Sequence, residues 1–139
     1  MSRVLGIDPG RVRVGLALSD ALQVTVTPLE VVKRADAVAR VEEIVKESDV
    51  ATIVVGLPTS LRGGEGPSAE DARSLGEEIR SRTGCDVVYH DERFTSRMAE
   101  SNLLEKGMKR RDRRRSLDMV AAALILQDFL DNHDFRTNT

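Results

Sequence analysis

The chain has 139 residues, 40% hydrophobic and 32% charged, with a formal net charge of −2, a balance that suits one domain around one core and excludes intrinsic disorder. A single cysteine, Cys85, excludes an internal disulfide and a cysteine-based zinc cluster, and two histidines are too few for most zinc sites. The longest apolar run, Met119 to Leu126, is eight residues, too short to span a bilayer, and Met1-Ser2-Arg3 opens on no signal-peptide pattern, so a cytoplasmic protein without a membrane partner is expected.

Val4-Leu5-Gly6-Ile7 reads as a short strand that stops at the turn signal Asp8-Pro9-Gly10. Val12 to Ser19 alternates, with Val12, Val14, Leu16 and Leu18 on one side and Arg13, Gly15, Ala17 and Ser19 on the other. Val24 to Val32 makes a third extended stretch after Ser19-Asp20, so three short-linked strands form an antiparallel meander. The period then changes. Val38, Val41, Ile44 and Val45 recur at helical spacing over Asp36 to Ser48. Ala51 to Leu57 is β-branched and almost continuously apolar, which suits a strand buried on both faces, and Pro58 ends it. A glycine-rich loop from Leu61 to Pro67 leads to a helix over Ser68 to Arg82, and Asp86 to His90 gives the fifth strand. Thr95 reads as the N-cap of a helix to about Glu105, and a last helix runs from Leu117 to Leu130. The polar stretch 132–139 is a tail, which leaves 1–131 as the folded domain. The expected fold is α/β, a mixed five-stranded sheet in which strands one, four and five are parallel and joined by right-handed helical crossovers.

Charge is unevenly placed. Between Arg93 and Arg115 lie nine basic and three acidic residues, and seven of the ten positions from Lys106 to Arg115 are Lys or Arg. Within that run Lys109, Arg110, Arg111, Arg113, Arg114 and Arg115 favour arginine five to one, which suits forked hydrogen bonding to phosphates. The duller reading is a solvated loop kept basic for solubility. Aromatic residues for base stacking are scarce, so recognition is expected to rest on backbone shape and charge.

Ligands in parallel sheets collect at the carboxyl ends of the strands. Asp8 ends the first strand, Asp91 and Glu92 end the fifth, and Asp118 lies near the start of the last helix. Singly, each has an ordinary explanation: a turn cap for Asp8, a strand-end charge for Asp91 or Glu92, a helix-dipole partner for Asp118. Together at one edge they would repel one another unless a cation kept them ionised. Hard divalent ions such as Mg²⁺ or Mn²⁺ take oxygen ligands, and a pair of them supports phosphodiester hydrolysis. Asp91 and Glu92 point to opposite faces of a strand, so both are not expected at one ion, and the residues alone leave that choice open. Gly63, Gly64 and Gly66 lack the Walker A spacing and read as a substrate-side flap. Arg93 reads as structural, His90 as a packed or hydrogen-bonded residue rather than a base, and Cys85 as a small apolar residue.

Four segments resemble the YqgF family, also called RuvX, of Holliday junction resolvases and pre-16S ribosomal RNA nucleases: Leu5 to Asp20, Val54-Val55-Gly56-Leu57-Pro58, Asp91-Glu92-Arg93-Phe94-Thr95-Ser96, and Asp118 to Gln127. They cover nearly the whole chain in order. The resemblance implies a ribonuclease H-like fold, the acidic trio Asp8, Glu92 and Asp118 as catalytic and metal-holding residues, and two divalent ions. It implies a cytoplasmic endonuclease maturing the 5′ end of precursor 16S ribosomal RNA, in contact with ribosomal particles; four-way DNA junctions are the alternative substrate. Arg11, Arg13 and the basic run are expected to hold phosphates. Pro9 follows the opening of RuvC itself and leans toward junction DNA, while Val12 replaces the family's usual basic residue. A non-catalytic RNA-binding assembly factor and a fragment of an actin-like ATPase are the competing readings, the latter disfavoured by length. Oligomeric state stays open.

Overall fold

The computed structural model describes residues 2–58, 66–91 and 110–132, with side chains in the last stretch from Met119 onward. β1 (Arg3–Asp8), β2 (Arg13–Ser19), β3 (Val26–Lys33), β4 (Val50–Leu57) and β5 (Asp86–Asp91) form one sheet in the order β3-β2-β1-β4-β5. The pairs β1–β2 and β2–β3 are antiparallel, and β1–β4 and β4–β5 are parallel, as the sequence predicts. Helices α1 (Ala37–Ser48) and α2 (Pro67–Thr83) cover one face, and α3 (Arg110–Asn132) covers the other.

Two cores follow from strand alternation. Leu5, Ile7, Val14, Leu16, Ile53 and Val55 turn toward α1 and α2, where Val41, Ile44, Ala72, Leu75 and Ile79 meet them. Val4, Ala17 and Val54 turn the other way, onto Ala122, Ile125, Leu126 and Phe129 of α3. β4 is buried on both faces, as its unbroken apolar run requires. α1 ends at Asp49 and α2 at Gly84, both in the left-handed region (φ 54° and 74°), which stops each helix and turns the chain into the next strand. The outer edge strand β3 carries Pro28, opposite Ala17, and a register shift, two features that blunt an open sheet edge.

Most element ends differ from the sequence expectation by a residue or two, and two starts differ for identifiable reasons. β3 begins at Val26, not Val24, because the amides of Val24 and Thr25 donate to Asp20 Oδ1 at 2.8 and 3.1 Å and are drawn into the turn. Those bonds hold the Asp20 carboxyl below its ordinary range. α3 begins at Arg110, not Leu117: arginine is a good helix former, and nothing between Arg110 and Leu117 breaks the helix. The expected helix from Thr95, the loop residues 59–65 and the tail beyond Asn132 lie outside the described residues. Among the described residues no helix is long and apolar enough to cross a membrane.

Candidate functional site

Parallel pairing brings the carboxyl ends of β1, β4 and β5 to one edge of the sheet, with Asp8 closing β1 and Asp91 closing β5. The faces separate these two acids. On β1, Val4 packs into the α3 core, and a Cβ on Gly6 would stand 2.7 Å from Leu126 Cβ and 3.1 Å from the Ala122 carbonyl oxygen. Asp8, two residues beyond Gly6, therefore projects on the α3 face. On β5, Val87 and Tyr89 pack toward α2 and Val88 toward α3, so Asp91 projects on the α2 face, away from Asp8.

Asp8 is half-buried, and its neighbours across both strands are glycines. Gly15 of β2 is its registered partner, and continuing the β1–β4 register from Ile7–Val55 sets Gly56 on its other side. Both positions belong to the α3 face, and neither carries a side chain. His90 stands at the level of Gly56 one strand further on. Asp118 lies in α3 one turn before Ala122, about 6 Å along the helix. Asp8 lies about 6.6 Å along its strand from Gly6, the point over which α3 crosses. Glu92 lies outside the described residues, and of Asp118 the structure describes the backbone. Among the described residues no group of three His, Cys, Asp or Glu stands ready to hold a metal ion.

Arg11, Arg13 and Lys33 stand at the same edge. Arg11 is exposed in the β1–β2 turn; Arg13 opens β2 and pairs with Lys33, which closes β3. Arg13 and Lys33 share the parity of Gly15 and Ala17, so both belong to the α3 face. Arg110, Arg111, Arg113, Arg114 and Arg115 fall within the first two turns of α3, not in a loop; Lys109 lies outside the described residues.

The profile of the RuvX family, described as "Holliday junction resolvase", matches residues 2–132. The chain belongs to the RuvX family. A protein of Lactococcus lactis subsp. cremoris named "Putative pre-16S rRNA nuclease" is 40% identical over 138 residues, covering 95% of this chain and 96% of its own length. A like-named protein of an Anaeromyxobacter species is 45% identical over 132 residues, at 93% and 96% coverage. Among solved structures, Thermus thermophilus RuvC in complex with Holliday junction substrate superposes with a TM-score of 0.55 at 20% identity, over 90% of this chain and 92% of that one. The fowlpox virus resolvase bound to junction DNA gives 0.54 at 12% identity, over 93% and 97%. These structures share the ribonuclease H-like fold expected from the sequence.

Three residues of this RuvX-family chain escape sequence reasoning in whole or part. Lys33 joins Arg11 and Arg13 at this edge through strand register alone. Arg34 Nη1 donates to Asp71 Oδ2 at 2.6 Å and to the Gly10 carbonyl at 3.4 Å, while its amide donates to the Val12 carbonyl at 2.9 Å. It ties the turn after Asp8 to the first turns of α2, and no local pattern signals it. That turn is itself tight: a Cβ at Gly10 would lie 2.2 Å from the Arg13 carbonyl oxygen. His90 is hydrogen-bonded, as expected, but its partner is Asp128, 38 residues away.

Proposed function

We propose that this chain is a divalent-metal-dependent endonuclease that hydrolyses phosphodiester bonds in structured nucleic acid, and that its substrate is the 5′ region of precursor 16S ribosomal RNA in the cytoplasm. The observation that carries this reading is the setting of Asp8: a half-buried carboxylate between two glycines, on the sheet face crossed by α3, at the same edge as Arg11, Arg13 and Lys33. A glycine on each side puts no side chain beside the carboxylate from β2 or β4. The near-full-length likeness to proteins named for pre-16S ribosomal RNA supports the choice of substrate.

Asp8 is assigned as the central acid. Glu92 is assigned as its companion on the family resemblance, and Asp91 shares the parity of Tyr89, which faces α2. Asp118 is the third, one turn from the helix crossing. Three carboxylates form an all-oxygen donor set, which fits Mg²⁺ or Mn²⁺ and does not fit zinc. Such ions, when bound, supply an activated water and charge stabilisation of the leaving oxygen. The chain's own part is to hold these carboxylates ionised and convergent. Arg11, Arg13 and the basic start of α3 bind flanking phosphates and fix the scissile bond over Asp8.

Junction DNA is the second reading, favoured by the family description and by Pro9 in the turn after Asp8. One assay addresses both. Wild-type protein is incubated with precursor 16S RNA or a four-way DNA junction in Mg²⁺ or Mn²⁺, with Asp8→Asn as control. The expected result is cleavage of the RNA, reduced at least about 100-fold by Asp8→Asn, because the substitution removes a charged ligand of the ions that would activate the water and stabilise the leaving oxygen. Cleavage of the junction alone transfers the assignment to DNA. Undiminished RNA cleavage by a folded Asp8→Asn protein overturns the metal mechanism. If that variant also supports ribosome maturation in cells, a non-catalytic assembly factor takes its place.

A further inference from the structure

Among the described residues β5 is an edge strand, hydrogen-bonded on one side to β4 and to no strand on the other. One ladder fixes such a strand weakly at its end, yet the end of β5 is where the proposed site takes its second acid. The structure holds it from both faces through consecutive residues. On the α2 face, the Tyr89 hydroxyl reaches Glu77 and the Arg73 carbonyl. On the α3 face, His90 Nε2 donates to Asp128 Oδ2 at 2.6 Å, and the His90 ring meets Phe129 edge-on at 6.2 Å between centroids. Asp128 is held in turn, since Asn132 Nδ2 donates to its Oδ1 at 2.9 Å and to its carbonyl at 2.8 Å.

The two clamps do different things. Tyr89 belongs to the face of Asp91 and docks α2. His90 belongs to the face of Asp8, is level with Gly56, and stands two residues before Glu92 in the chain. Its partner is on α3, the helix that carries Asp118. The Asp128–His90 pair therefore joins the two elements that bring the second and third acids, at a point on the site's own face. His90 is mostly buried (20% exposed).

We propose that His90, oriented by Asp128, is a positioning residue that sets the end of β5 against α3 and so fixes the spacing of the carboxylates that take the divalent ion. This inference rests on the metal-dependent reading above. It assigns His90 no proton transfer and no contact with substrate.

The test compares wild type with His90→Ala, His90→Gln and Asp128→Ala, measuring Mn²⁺ affinity by titration calorimetry, thermal unfolding, and kcat and KM on precursor RNA. Loss of a bond that orients a ligand-bearing element typically costs tenfold or more in affinity or activity. His90→Ala and Asp128→Ala are expected to weaken Mn²⁺ binding and lower kcat by about tenfold each, with KM for RNA unchanged. His90→Gln, which restores an N–H toward Asp128, is expected to recover most of both. Mn²⁺ affinity and kcat at wild-type levels in folded His90→Ala, with only a lower unfolding temperature, would overturn the proposal. So would wild-type protein that binds no Mn²⁺. A wild type that binds Mn²⁺ tightly but cleaves nothing, with His90→Ala still weaker in Mn²⁺ binding, sinks the nuclease reading and leaves the positioning role standing.

Discussion

Tyr89 shows how one side chain can be read from its surroundings. Its hydroxyl donates to the Glu77 carboxylate at 2.6 Å, and the Arg73 guanidinium lies 4.8 Å from the ring centroid. Gly76 of α2 makes the approach possible, since a Cβ there would come within 2.5 Å of the Tyr89 oxygen. Burial first, and the Glu77 carboxylate second, push the phenol from an ordinary 10.0 up to about 12. A raised value means that the native state keeps its proton where the unfolded chain has lost it. The stabilisation is complete below pH 10.0 and drains away as pH climbs toward about 12. Tyr89→Phe is expected to lower stability by about 1 kcal/mol at neutral pH and to lose less of it across that alkaline window. Denaturant midpoints of both proteins from pH 8 to 12 check this, and parallel curves would count against it. None of this was visible in sequence, because Tyr89 sits on β5 while Glu77 and Gly76 sit on α2. Asp8 was visible, because a carboxylate ending an apolar run before Pro9-Gly10 marks a strand end by itself.

At the scale of elements, the docking of α3 on β1 decides whether the site can form. The contact is close because Gly6 has no side chain, so the helix lies with Ala122 and Leu126 directly on the strand. Gly6→Ala would drive a methyl group into Leu126 Cβ and the Ala122 carbonyl, and backbone cannot move aside as a flexible tip can. The expected cost is about 1–3 kcal/mol, with α3 lifted from the sheet and Asp118 moved away from Asp8. Activity should then fall further than RNA affinity. Calorimetric unfolding and single-turnover cleavage would report it, and an unchanged unfolding temperature would contradict the tight packing. The strands and helices themselves were largely legible, since periods of two and 3.6 separate β2 from α1 without help from tertiary contacts. What escaped was decided outside the local pattern. Asp20 takes two amides from the start of β3, and the basic run joins α3 because arginine tolerates a helix even where its charge opposes the dipole.

Across the whole molecule, a net charge of −2 conceals a division of labour. Acidic side chains elsewhere are spent on ion pairs within the fold, as in Arg40 with Glu30, Arg34 with Asp71 and Arg82 with Glu42. The start of α3 concentrates one sign of charge along the sequence. Five arginines from Arg110 to Arg115 occupy the positive end of a helix dipole, where cations are unfavourable and an anion is favoured. A polyanion laid against this end relieves the mutual repulsion and releases its own counterions, so binding should weaken steeply with salt. Replacing Arg113, Arg114 and Arg115 by glutamine keeps helix propensity and removes three charges. In the Asp8→Asn background, where cleavage is blocked, the slope of log affinity for precursor RNA against log salt concentration should become shallower by about 2 to 3. Asp8→Asn itself should leave that slope almost unchanged, because a carboxylate releases no counterion from the nucleic acid. Fluorescence anisotropy from low to high salt separates the two effects. An unchanged slope in the triple variant would mean that these arginines meet no phosphate, and that the helix start is basic for some reason other than substrate.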